Sequence, residues 1–175
     1  MANPFANELA EKLAGTESAD TTDRAEAIEF TNDAQRACYA KVEEYGRQLF
    51  GEMFERSTDP KRPTFYMDFG SANIFVSVKP WANDKVMVNI GSWVIQGADI
   101  TEDLMDFLLR RSFEKRFGAF GLEEEDDILY YHRLAGENLD KEELKASIQA
   151  VAYASDEFDE IIKSRWGGRR FRDSS

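Results

Sequence analysis

The hydrophobic period of this chain changes near residue 60, and that change constrains its fold more than any other feature. From Thr31 to about Ser57, Cys38, Val42, Tyr45, Leu49 and Met53 recur at helical steps, and Phe50 and Phe54 widen the stripe. Asp59, Pro60 and Pro63 break the pattern, because proline donates no ladder hydrogen bond and restricts the residue before it. Beyond them the period is two. Phe65, Met67 and Phe69 alternate with Tyr66 and Asp68; Ile74, Val76 and Val78 with Phe75 and Ser77; Val86, Val88 and Ile90 with Met87 and Asn89. Short turns at Gly70-Ser71 and Pro80 to Asp84 join the three runs, which predicts an antiparallel meander. Gly91 reads as a bulge that lets Trp93 to Ile95 continue the third strand.

A second helix follows Gly97, capped by Thr101 or Asp99, with Glu102 and Asp103 in its first turn and Arg110, Arg111, Lys115 and Arg116 toward its end. Leu104, Phe107, Leu108 and Phe113 form its apolar side, and Gly118 and Gly121 stop it. Asp127 to Leu134 alternates again, with Ile128, Tyr130, His132 and Leu134 on one side and Leu129, Tyr131 and Arg133 on the other. Asp140 with Glu143 three residues on reads as a capping box, and Leu144, Ile148, Val151, Ser155, Phe158 and Ile162 line one face of a last helix. The expected fold class is α+β: helix, three-stranded antiparallel meander, helix, one or two further strands, C-terminal helix.

The ends read differently. Residues 1–30 hold seven acids against two bases and form an acidic N-terminal arm, in which Phe5, Leu9 and Leu13 mark a short amphipathic helix. Residues 31–168 form the domain. Gly167-Gly168 close the last helix, and 169–175 form a basic tail with Arg169, Arg170 and Arg172. No basic n-region with an apolar h-region opens the chain, no apolar run is long enough to span a bilayer, and Cys38 has no cysteine to pair with; these features predict a cytoplasmic protein without membrane attachment.

A net charge of -12 argues against nucleic acid as a partner, since the phosphate backbone would be repelled. One His and one Cys leave little for metal or nucleophile chemistry, so no metal and no cofactor is expected. His132 is expected to supply a hydrogen bond within the fold, and Cys38, on the apolar stripe of the first helix, to be an inert buried thiol. The acid run Glu123 to Asp127 lacks the alternate spacing and glycine of a calcium loop and reads as a solvated loop. No phosphate-loop, nucleophile-elbow, zincin or dinucleotide motif is present.

The order of elements looks like the fold of type III secretion chaperones, and the second half of the sequence resembles the YbjN family. The likeness spans about residues 35–168 and is carried by FGAFGL at 117–122, NLDKEEL at 138–144 and ASDEFDE at 154–160. The resemblance implies a non-catalytic module, chaperone-like or regulatory, that binds another protein or peptide segment. It implies no catalytic residues.

The residues themselves suggest where. If the even-spaced aliphatics of the meander face the core, Tyr66, Phe75 and Met87 point the other way, Trp81 sits on the turn beside them, and Trp93 joins if the bulge reverses the alternation. A solvated sheet face ordinarily carries polar residues, so large apolar groups there call for cover by a helix, a second copy of the chain or a partner segment. Tyr66, Phe75, Met87, Trp81 and Trp93 are therefore the candidate partner-binding residues. Two alternatives stand beside this reading. One is an enzyme or enzyme subunit gathering Asp99, Asp103 or Glu123 against Arg110 or Arg111; the other is a structural homodimer.

Overall fold

Asn32 starts the first helix by accepting a 2.8 Å hydrogen bond from the Gln35 backbone N–H, and α1 runs Asp33–Phe50. The computed structural model describes residues 28–123 and 126–174. The expected arm helix at Phe5, Leu9 and Leu13 lies outside them, as do Glu124 and Glu125 of the acid run. The helical stripe stops earlier than its periodicity predicts. Gly51 adopts φ +59°, open to a residue without Cβ, and its N–H caps Arg47 O. A single 3-10 turn, Gly51–Met53, then leads into the two-residue strand β1 (Glu55–Arg56).

Strands β2 (Thr64–Phe69), β3 (Ala72–Ala82) and β4 (Lys85–Ile95) form the meander, followed by α2 (Glu102–Glu114), β5 (Ala119–Leu122), β6 (Ile128–Ala135) and α3 (Lys141–Trp166). The six strands make one sheet in the order β1-β2-β3-β4-β6-β5, antiparallel at every pairing. Thr101 caps α2 through Leu104 N–H, and Asp140 caps α3 through Glu143 N–H. β5 occupies the stretch read only as glycine punctuation. It hydrogen-bonds to β6 through Ala119↔Tyr131 and Leu122↔Ile128, so β6 lies beside β4 and β5 becomes the edge.

The predicted bulge at Gly91 is not there. Phe75↔Gly91 and Ile74↔Ser92 continue the β3–β4 register without a break, and the irregularities fall between Pro80 and Ala82 and between Trp93 and Ile95. Trp93 therefore shares the face of Met87, Asn89 and Gly91 by unbroken alternation, with no reversal needed. Gly91 is required for another reason. A Cβ there would lie 2.5 Å from Phe75 Cζ, so the glycine makes room for the Phe75 ring to lie across the sheet.

The core lies on the other face. Phe65, Met67, Ile74, Val76, Val78, Val86, Val88, Ile90, Ile128 and Tyr130 are buried against α1 and α3. Phe65 is sandwiched between Tyr39 of α1 (centroids 4.5 Å) and Phe54 (4.6 Å), which fixes α1 to β2. Gln35 ties the start of α1 to β3 by donating from Nε2 to Val78 O at 2.8 Å. Phe107 of α2 meets Phe158 and Trp166 of α3, so α2 packs on the last helix, near β5. Among the described residues no helix is long and apolar enough to cross a membrane.

Candidate partner-binding face

With α1 and α3 on one side, the second face of the sheet is left without a covering helix. Phe75, Ser77 and Lys79 from β3, Met87 and Asn89 from β4, Gly121 and Leu122 from β5, and Leu129, Tyr131 and Arg133 from β6, with Glu123, line a groove of 490 Å³ there. Its floor is flat because two glycines admit rings. Phe75 lies over Gly91, and Tyr131 covers Gly121, where a Cβ would come 2.7 Å from Tyr131 Cε1. Leu129 and Ser77, on either side of the row formed by Phe75, Gly91 and Tyr131, are buried.

The structure brings three of the five candidate residues together. Phe75 and Met87 line the groove, and the Trp93 ring packs on Phe75 with centroids 4.8 Å apart. Trp93 Nε1 donates to Glu123 Oε2 at 3.2 Å. Tyr66 is the cross-strand partner of Phe75 and lines a smaller adjoining groove of 290 Å³ with Glu55, Asp68 and Asn73. Trp81 stands apart at the far end of the β3–β4 hairpin, 59% exposed, six residues and roughly 20 Å along the strand from Phe75. Leu129, Tyr131 and Arg133 complete the site from β6. Their alternation is visible in the sequence, but their place beside β4 depends on a strand order that local pattern does not encode. Phe171, which stacks on Trp93 at 5.4 Å, gives no local sequence signal at all.

The groups considered for catalysis are dispersed. Arg110 pairs with Asp106 at 2.7 Å, Arg111 with Glu114, and Glu123 is engaged by Trp93, so Asp99, Asp103 and Glu123 are not gathered against either arginine. His132 meets the Phe117 ring edge-on at 5.7 Å, an aromatic contact where a hydrogen bond was expected, and burial holds its pKa below the ordinary imidazole value. Cys38 is buried, its Sγ 3.7 Å from Gly136 O, and burial pushes its pKa up to about 11, which keeps the thiol protonated and unreactive. Among the described residues no group of three His, Cys, Asp or Glu side chains is arranged to hold a metal ion. Glu123 and Asp127 close the end of the β5–β6 pairing, with Glu123 N–H donating to Asp127 O and Asp127 accepting from Gln96 Nε2 at 2.8 Å.

An antiparallel sheet with helices on one face and an open aromatic groove on the other defines a binding scaffold rather than a reaction centre. Two solved structures share the fold. The chain superposes with a TM-score of 0.56 on a chain of the ExsC-ExsE complex, at 10% identity over 75% of this chain and 97% of that one. It also matches a chain of the HopA1-SchA chaperone-effector complex with a TM-score of 0.55, at 17% identity over 74% and 98%. Residues 39–174 match the family described as T3SS (YopN, CesT) and YbjN peptide-binding chaperone 1, and the protein belongs to that family. No curated protein matches it by sequence. The protein is thus a non-catalytic module that binds another protein or peptide segment.

Proposed function

We propose that the open sheet face is where this protein holds its partner, with Phe75, Met87 and Trp93 as the apolar anchors and Tyr66 on the flank. The observation that carries this reading is a continuous apolar floor of Phe75, Tyr131, Leu129 and Met87 that the protein's own helices leave uncovered. A sheet face with rings laid flat offers shape and apolar area to an extended or helical segment, while the acidic surface elsewhere keeps the complex soluble. A partner longer than the groove runs on toward Trp81, whose indole is exposed at the hairpin end. The partner is a segment of another protein, as the pairing in the HopA1-SchA chaperone-effector complex suggests. Its setting is the cytoplasm, in keeping with a single unpaired thiol at Cys38.

The test is a pull-down with tagged full-length protein and a Phe75→Asp variant side by side, with circular dichroism on both. A protein enriched near stoichiometry by the first and lost by the folded second is the expected result, and Phe75→Ala should weaken the complex by about 2 kcal/mol, the cost of truncating a buried anchor. Equal capture by both chains would move the site off this face.

Self-association is a second reading, and α2 favours it. Leu109 (72% exposed) and Phe113 (92% exposed) stand one helical turn apart, continued by Met105, as an apolar stripe facing away from the core. A second copy of the chain is the cover proposed for that stripe.

A further inference from the structure

Two observations on the open sheet face bear on what kind of segment it takes; the inference rests on the reading of that face as the binding site. One end of the face is occupied by the chain itself. After Gly167 ends α3, Arg169 pairs with Gln96 through two backbone hydrogen bonds of 2.9 and 3.0 Å. The 3-10 turn Phe171–Ser174 then folds against β3 and β4 and stacks Phe171 on Trp93, with centroids 5.4 Å apart and planes 20° from parallel. Phe171 so completes a row of rings begun by Phe75 and Trp93. The turn is held from its edges. Lys163 donates to Asp173 at 2.8 Å, and Arg170 pairs with Glu160 and with Asp159, the latter a 2.8 Å ion pair without hydrogen-bond alignment. Asp159 is buried, so its pair with Arg170 anchors the root of the turn, while the Lys163–Asp173 pair beyond it is exposed and restrains weakly; Phe171, between the two, remains 36% exposed, and its seat on Trp93 is covered but open to exchange.

The second observation is charge. The chain carries a net charge of -12, yet the opposite end of the groove presents Lys79 and Arg133, neither of which has a carboxylate partner among the described residues. Arg133 donates to the neutral Asn89 side chain and lies over the Tyr131 ring at 4.4 Å. Lys79 stands opposite Met87, and Arg133 opposite Asn89, so both cations lie at the Met87 end. The carboxylate that lines the groove, Glu123, is at the Trp93 end and already accepts the indole N–H. Met87 and Trp93 are six residues apart on one strand, roughly 20 Å, the span of about six extended residues.

We infer that this face receives an acidic, aromatic-bearing segment of another protein, whose ring takes the seat of Phe171 on Trp93 while its carboxylates, about six residues away, meet Lys79 and Arg133. Exchanging ring for ring makes the aromatic contact nearly neutral on balance, so the charge match and the groove floor supply the net attraction. The C-terminal turn covers the Trp93 seat until a partner arrives.

The test is a selection from a display library of random 12-residue peptides on immobilised full-length protein, on a Lys79→Glu/Arg133→Glu variant and on Phe171→Ala. All three changes are at exposed or part-exposed side chains, and thermal melts confirm the fold. The wild-type pool should be rich in Asp and Glu with at least one aromatic residue, and the charge-reversed chain should lose the acidic preference. Peptides selected on the wild type should bind Phe171→Ala more tightly by roughly two- to tenfold, the worth of one aromatic pair. A basic pool, a pool unchanged by charge reversal, no gain with Phe171→Ala, or no enrichment on any chain each overturns the inference. Phe75→Asp separates the two levels. Selected peptides that need Phe75 but ignore Lys79 and Arg133 leave the binding face standing and remove the acidic partner; peptides indifferent to Phe75 remove the face itself.

Discussion

Gly91 has no side chain because the Phe75 ring needs its place, and that single exchange turns a β-sheet face into a flat apolar floor. The same arrangement recurs at Gly121 under Tyr131. In the sequence both glycines read as interruptions of a strand or helix; only their cross-strand neighbours give them a purpose. Cys38 was legible in the opposite sense, since an isolated reactive residue type on a patterned element is usually part of the packing, whereas His132 packs on Phe117 in place of the expected hydrogen bond. For His132 the consequence is a pH dependence with a definite sign. Burial lowers its folded pKa below the 6.5 of the free imidazole, and the field of Glu143 offsets this only in part. The unfolded chain therefore binds the proton more readily, so this residue's contribution is fully present above pH 6.5 and is lost as pH falls through the folded value. In urea titrations at pH 7.5 and 5.5, His132→Gln should lose less stability on acidification than the wild type; equal losses would show that other groups govern the acid limb.

At the level of elements, period and punctuation carried most of the information. Asn32, Thr101 and Asp140 each accept the backbone hydrogen bond that starts a helix, and the caps at Thr101 and Asp140 follow directly from residue type and spacing. The end of α1 did not, because Leu49, Met53 and Phe54 continue an apolar pattern across Gly51, where the backbone turns left-handed. Phe54 then folds back on the helix. A Cβ on Gly46 would lie 2.2 Å from Phe54 Cε1, and Phe54 is stacked on Phe65 with no free space to retreat into. Gly46→Ala should therefore destabilise the protein by about 1–3 kcal/mol, despite the better helix propensity of alanine, because overpacking outweighs the gain. A chemical denaturation curve with unchanged slope and a lower midpoint would establish this; a variant as stable as the wild type would mean Phe54 has another place to go.

Across the whole molecule, the two uncovered apolar surfaces lie on different elements, the groove on the sheet and the stripe on α2, so binding a partner and binding a second copy need not compete. Phe113→Glu should convert a self-associating chain to monomer in multi-angle light scattering while leaving the sheet face intact; a wild type that is monomeric throughout would assign the stripe to another occupant. Amino-acid pattern by itself determined the α+β class, the helices and the meander, and which side of each strand is apolar, because a period of 3.6 or 2 is written in residues adjacent along the chain. It also put apolar side chains on the outer face at Tyr66, Phe75 and Met87. Tertiary structure decided the rest: β6 inserted beside β4, Leu129, Tyr131 and Arg133 added to the floor, Trp81 left at the hairpin end, and Phe171 brought back over Trp93. These depend on which strands pair and where the chain returns, contacts between residues more than 30 positions apart, and no local periodicity records them.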